Sequence, residues 1–280
     1  MKNPYLETYC HETLRPCQLK QLAILTEIDR LCRQYSIPYW LDGGSLLGAV
    51  RHGGFIPWDD DLDIAMKKAD AERFVELARR ELPRHLVVQT PKDEACKEPI
   101  IKVRNRNSFY VEGGDDFSAS YDKGIYVDIF PFIPYPNVSQ GFTRCIVRRM
   151  ARSRSILHKP HRYSFRAVAE FFWFGAMFLA TTAIWHTVRW FSRNDRKCCV
   201  IPENNGYGVV YNTSDVFPLS TVSFEGLEFP APGNPDAYLT ALYGDYMTIP
   251  PIEKRQVHAV LMIPELTKEE QPATTEGYWG

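Results

Sequence analysis

Asp59-Asp60-Asp61-Leu62-Asp63 sets four carboxylates within five positions, directly before the apolar Ile64-Ala65-Met66. Carboxylates are costly to bury unless they are paired or bind a metal, so this density calls for a cation. In an extended chain Asp61 and Asp63 fall on one face while Leu62 and Ile64 fall on the other. Their α-carbons then lie roughly 7 Å apart, within reach of one hard cation. Asp59 shares their face and Asp60 opposes it. Upstream, Gly43 and Gly44 allow tight backbone, and Ser45 is placed to cap a short helix over Leu46–Val50. A helix N-terminus presents free N–H groups and a positive dipole, which suit phosphate. Arg51 and His52 either touch that phosphate or cap the helix. Asp128 is a lone carboxylate in the apolar run Gly124–Phe130, and is read as a third site carboxylate.

The elements that position these groups follow from periodicity. Ile24, Ile28, Leu31 and Tyr35 recur at helical spacing over about Pro16–Tyr35, read as a packing helix. Residues 38–41 form a short strand, and a second helix runs from about Ala69 to Leu82. Leu86–Gln89 and Ile100–Arg104 read as strands, with Lys102 and Arg104 sharing a face as phosphate ligands or as a solvated edge. Pro131, Pro134 and Pro136 are expected to end the sheet. Phe217–Pro230 reads as strand, turn at Glu225-Gly226, strand; Pro235–Tyr243 reads as a helix ended at Gly244. The tail from Ile249 is expected to be irregular, with Arg255 and His258 closing over a site or lying on the surface.

Composition narrows the class. The 280-residue chain is 45% hydrophobic and 24% charged, as globular proteins are, and its net charge of -1 argues against a general polyanion binder. The charge is unevenly spread. Eight Lys/Arg and no acid lie between Thr143 and Arg166, leaving 25 basic against 34 acidic residues elsewhere. No nucleic-acid motif accompanies that stretch, and no nucleic-acid partner is expected. The very apolar Val168–Trp185 follows, with three readings: a core helix hairpin, a helix seated in a membrane interface, or a span. Peripheral membrane association is therefore assigned to residues 144–190. Seven cysteines without a C-x-x-C pair, and a start lacking an apolar signal core, point to a cytoplasmic protein at the inner face of the membrane.

Gly43-Gly44-Ser45-Leu46-Leu47-Gly48, Trp58-Asp59-Asp60-Asp61-Leu62-Asp63 and Val127-Asp128-Ile129-Phe130-Pro131 together resemble the LicD family. Tyr238–Met247, followed by Pro250-Pro251, resembles its closing motif. That family is related to fukutin and fukutin-related protein, within the nucleotidyltransferase-fold superfamily. The resemblance runs from about Leu14 to His258 and is weakest over about 141–202. It implies an α/β (α+β) fold: a mixed sheet flanked by helices, with a helical insertion and a C-terminal lid. Residues 1–140 would form the catalytic core, 141–200 the insertion, and 201–280 the part completing the same domain.

It also implies a transferase moving a phosphorylated alcohol, foremost phosphocholine from CDP-choline, to a glycan or lipid-linked glycan acceptor. Gly43, Gly44 and Ser45, with Arg51 and Lys102, would hold donor phosphate. Asp59, Asp61, Asp63 and Asp128 would bind Mg²⁺ or Mn²⁺, and Asp61, Asp63 and Asp128 would carry the chemistry, Asp128 as base or ligand. Trp58, Tyr110, Tyr121, Tyr126 and Tyr207 are available to a quaternary ammonium. The alternatives are a nucleotidyltransferase adding NMP from an NTP, and a scaffold with a decayed site; the presence of every expected carboxylate counts against the scaffold.

Overall fold

A computed structural model describes residues 8–93, 100–113, 115, 121–157, 164–192, 196–201, 208–255 and 257–268. Lys159, Arg162 and Tyr207, and the tail beyond residue 268, lie outside the described residues. In chain order, α1 (Arg15–Gln34) and β1 (Trp40–Leu41) precede α2 (Gly43–His52), β2 (Asp63–Lys67) and α3 (Lys68–Glu81). Four strands follow: β3 (Leu86–Gln89), β4 (Ile101–Asn105), β5 (Phe109–Glu112) and β6 (Ile125–Pro134). The helical pair α4 (Gln140–Leu157) and α5 (Phe165–Phe191) is inserted before β7 (Lys197–Val200) and β8 (Tyr211–Asn212). After the short α6 (Thr213–Val216) come β9 (Ser220–Phe224), β10 (Leu227–Ala231), α7 (Pro235–Tyr243) and β11 (Ala259–Ile263).

The fold is a mixed α/β one. Its main sheet runs β1-β2-β6-β4-β3, with β7 on β6 and β8 on β7. β2 and β6 are parallel and the remaining pairs antiparallel. Parallel pairing needs a crossover, here the 57-position separation of β2 from β6 filled by α3 and β3–β5. One apolar core joins Ile24, Ile28 and Leu31 of α1 to Ile64, Val103 and Val127 of the sheet and to Tyr238 and Leu239 of α7. The C-terminal segment thus shares the core of the N-terminal one.

Several elements depart from the sequence reading. β6 continues through Pro131 to Pro134. β4 pairs with residues 125–129 and β7 with 132–134, so Pro131 falls at the handover, where neither antiparallel partner calls for its missing N–H. Lys102 and Arg104 are not a solvated edge. β4 lies between β6 and β3 rather than at an edge, and both side chains are buried. One part of the tail is regular: β11 pairs with β5, aligning Met262 with Tyr110. The core-helix reading of 168–185 fails as well. Helices α4 and α5 form a pair, yet only Thr181 and Trp185 of α5 are buried.

The β9–β10 hairpin turns where expected, with Glu225 and Gly226 both at positive φ. Glu225 also pins distant parts of the chain. It accepts from Arg15 at 3.0 and 2.5 Å and from the Phe55 N–H at 3.0 Å. The Arg15 hydrogen bond holds its pKa below the usual glutamate value. A depressed pKa means stability present above the unfolded value near 4.5 and lost as pH falls through the folded one. Glu225→Gln is expected to cost about 1–2 kcal/mol at neutral pH and to flatten that acid limb, measured by urea unfolding at pH 7 and pH 4.

Candidate active site

The site is built on three adjacent strands. The β2–β6 register sets Asp63 opposite Asp128, and the β6–β4 register sets Asp128 opposite Lys102. A carboxylate, a second carboxylate and an ammonium therefore stand in a row across the sheet. With Asp61, Ile100, Glu112, Tyr126, Phe130 and His258 they line one cavity of about 240 Å³. Tyr126, Asp128 and Phe130 alternate along β6, as the period of a strand requires.

Asp61 lies just before β2 rather than in it, but the alternation holds: Leu62 and Ile64 are buried in the core while Asp61 and Asp63 face the cavity. The loop that carries them is pegged from behind. Gln18 of α1 donates to the Asp59 carbonyl at 2.9 Å, and Gln21 donates to the Asp60 carbonyl at 2.8 Å. The first helix is therefore more than a packing element, a role that periodicity alone does not carry. The Asp128 N–H donates to the Leu62 carbonyl at 2.9 Å, locking the loop end to β6.

Helix α2 starts at Gly43, three residues earlier than the sequence reading places it, and its cap is Asp42 rather than Ser45. Asp42 accepts from the Gly43 N–H and, deeply buried, from the Tyr238 hydroxyl at 2.7 Å. Ser45 sits inside the helix, where its Oγ accepts the Asp63 N–H at 2.7 Å. The glycines make room for acids. A Cβ on Gly43, whose φ is +50°, would lie 2.7 Å from Asp63 Oδ2, and one on Gly44 would lie 2.7 Å from Asp59 Oδ2. The carboxylates thus stand over the first turn of α2, whose dipole favours anions.

Gly44→Ala is expected to push Asp59 aside and lower turnover by roughly 10–100-fold, since small misplacements at a reacting centre have large effects. Melting should change by less than about 1 kcal/mol, because Asp59 is a site carboxylate rather than a core contact. Equal loss of melting temperature and activity would contradict that reading.

The electrostatics are those of crowded acids. Burial first, then Asp61 and Asp60, push Asp59 up to about 8. Burial and the charges of Asp61 and Asp128 raise Asp63 well above the carboxylate range. Asp60 does not join them. It is fully buried on the opposite face, where it accepts from the His258 N–H at 3.0 Å, the Ala259 N–H at 2.6 Å and His258 Nδ1 at 3.2 Å. His258 Nδ1 also lies 3.4 Å from Asp61 Oδ2. The Asp60 hydrogen bond, with the charges of Asp61 and Asp59, lifts His258 to about 9.

His258 is the residue that the sequence reading left open. It reaches the site because β11 pairs with β5, a contact between segments nearly 150 positions apart that no local pattern announces. Glu112 was missed outright. It pairs with Lys102 at 3.4 Å and accepts the Tyr126 hydroxyl. Lys102 itself lies 3.2 Å from Asp128 Oδ1 and 3.5 Å from the centre of the Tyr126 ring. Arg104 is held instead by Gln89 and the Gly124 carbonyl.

Arg51 is outside the cavity lining and donates to the Tyr246 carbonyl at 2.8 Å, tying α2 to the segment after α7. Among the aromatic candidates, Tyr126 lines the cavity. Trp58 is covered by Arg255 at 3.9 Å, Tyr110 is buried against Tyr126, and the Tyr121 hydroxyl donates to Asp115.

The donor set fits a hard divalent cation. Asp59, Asp61 and His258 each offer a ligand atom within 4.8 Å of the others, and Asp63 and Asp128 add oxygens on the same cavity. Carboxylate oxygens suit Mg²⁺ or Mn²⁺. The raised pKa values of Asp59 and Asp63 express a repulsion that such an ion would relieve.

A mixed sheet thus presents clustered aspartates beside a helix N-terminus, an arrangement suited to a metal ion and a phosphate-bearing substrate. Comparison with known proteins agrees. Residues 36–168, just under half of the chain, match the family described as LicD/FKTN/FKRP, nucleotidyltransferase domain. It is 28% identical to the lipopolysaccharide cholinephosphotransferase LicD of Haemophilus influenzae over 280 aligned residues, covering 89% of this chain and 96% of that protein. It is 33% identical to the ribitol 5-phosphate transferase FKRP of Homo sapiens over 125 residues, 42% of this chain and 22% of that one. An uncharacterized Rickettsia typhi protein, RT0683, is 43% identical over 168 residues, 52% of this chain and 50% of its own length.

Proposed function

We propose that the protein transfers a phosphorylated alcohol, phosphocholine foremost, from a CDP-linked donor to a sugar hydroxyl. The acceptor is a cell-surface glycan or its lipid-linked precursor, met at the cytoplasmic face of the membrane. One observation carries this reading: Asp61 and Asp63 from one segment and Asp128 from another converge on one cavity whose wall also holds Lys102, Tyr126 and Phe130. Similarity along almost the whole length of the H. influenzae cholinephosphotransferase supports the reaction class.

In this reading Asp59, Asp61, Asp63 and Asp128 hold Mg²⁺ or Mn²⁺, which supplies charge neutralisation to the donor diphosphate. Ser45 and the first turn of α2 orient the phosphates, and Lys102 orients Asp128. Asp128 takes the proton of the acceptor hydroxyl as its oxygen bonds to the phosphorus that bears the alcohol. The bond from that phosphorus to the bridging oxygen breaks, and CMP leaves. Phe130 offers an aromatic face, and Glu112 a carboxylate, to a quaternary ammonium.

The test is CMP release with Mg²⁺ and glycan acceptor from CDP-choline, CDP-ribitol, CDP-glycerol and CDP-ethanolamine. Fastest release from CDP-choline is expected. A preference for CDP-ribitol would move the head group, and no release from any donor would overturn the reaction class.

A further inference from the structure

Helix α5 carries an apolar surface that nothing among the described residues covers. Phe172 is 69% exposed and Leu179 70%, Phe165 and Trp190 are more open still, and Trp173 is 65% exposed. Its other side is occupied. Trp185 is buried with Ile133, Tyr135, Ile146, Met150 and Cys199, fixing the helix to the end of β6. Patches of this size mark an interaction surface.

The charge beside it selects the partner. Arg144, Arg148, Arg149 and Arg152 of α4 are exposed, and Arg152 reaches the Phe174 ring of α5 at 5.9 Å. Between Thr143 and Arg166 the chain holds no acid to offset them. A cavity of about 540 Å³ at the far end of α5 is lined by His186 and Arg189 with Trp190. Arginines beside aromatic and aliphatic bulk match an anionic lipid surface.

By length and composition α5 could cross a bilayer. Its partner argues otherwise. The stretch without ionisable groups, from Phe171 to Trp185, spans roughly 22 Å as a helix, short of a hydrocarbon core of roughly 30 Å. A crossing α5 would also draw the arginines of α4 toward hydrocarbon, each disfavoured roughly a hundredfold at the bilayer centre.

We infer that the α4–α5 hairpin is a bilayer-docking surface: α5 lies in the plane of an anionic membrane with Phe172 and Leu179 in the headgroup region, and the arginines of α4 face lipid phosphates. This goes beyond the transferase reading and does not depend on it.

Flotation of the full-length protein with phosphatidylcholine vesicles, with and without phosphatidylglycerol, tests it. Binding is expected only with the anionic lipid. It should weaken with salt, reverse in alkaline carbonate, and blue-shift tryptophan emission. Phe172→Glu with Leu179→Glu should reduce binding at least tenfold, and Arg148→Glu with Arg152→Glu by about fivefold or more for each charge removed. These side chains are exposed, so thermal melting should be unchanged and serves as the folding control. Failure to float with anionic vesicles overturns the proposal, as does unchanged binding of the Phe172→Glu/Leu179→Glu protein. Retention after carbonate would make α5 a span. A dimer abolished by the same two substitutions, without vesicle binding, would make a second copy the occupant.

Discussion

Asp63→Asn is expected to lower CMP release by at least ~10³-fold while leaving the melting temperature equal or higher. The two halves of that result come from one geometry. Asp63 faces Asp128 across the β2–β6 pair, and its carboxyl is raised by burial and by the charges of Asp61 and Asp128. A raised carboxyl favours the folded state at low pH, and that contribution is lost as pH rises through the folded value; for Asp59 the window extends to about 8. An isosteric amide keeps the shape and removes one repelling charge. Activity falls because the oxygen meant for a cation is gone. Stability gains up to about 1 kcal/mol, the trade expected of a site held against its own electrostatics. The same substitution should shrink any rise in melting temperature produced by Mg²⁺ or Mn²⁺. If melting and activity fall together, Asp63 is a structural residue and the site assignment is wrong.

Lys102→Met should be the most destabilising single change at the site, about 3–5 kcal/mol, because it strips a buried pair of its cation. Lys102 has a side-chain exposure of 3% and stands between Asp128 and Glu112 at 3.2 and 3.4 Å. Methionine fills the space but leaves two carboxylates facing each other. Adding Asp128→Asn should restore part of the loss, and a double-mutant cycle in urea would give the coupling. A loss under about 1 kcal/mol, unchanged by Asp128→Asn, would mean that the three groups do not act as a unit.

The carboxylates could be read from sequence because their placement is locally marked: Asp61 and Asp63 alternate with the apolar Leu62 and Ile64, and Asp128 stands alone in an apolar strand. Helix and hairpin limits were visible for similar reasons, with Pro16 at the start of α1 and Glu225-Gly226 at a turn. What stayed hidden depends on register and on distant pairing. Nothing around Lys102 says that β4 will set it beside Asp128, and nothing around His258 says that β11 will join β5. Ser45 looked like a cap, but the cap is Asp42, which accepts the Gly43 N–H and is held from behind by the buried Tyr238. The exposure of α5 was equally unreadable, since an apolar helix has the same composition whether it packs on protein or on lipid.

The central claim is that this carboxylate cavity transfers a phospho-alcohol rather than a nucleotide. Phosphorus NMR of the products, from parallel incubations with CDP-choline and with CTP in Mg²⁺ and glycan acceptor, tests it most directly. The account predicts CMP and a new phosphodiester in equal amounts from CDP-choline, no pyrophosphate from CTP, and neither product with Asp63→Asn. Pyrophosphate from CTP, lost in that variant, would contradict it and make the protein a nucleotidyltransferase.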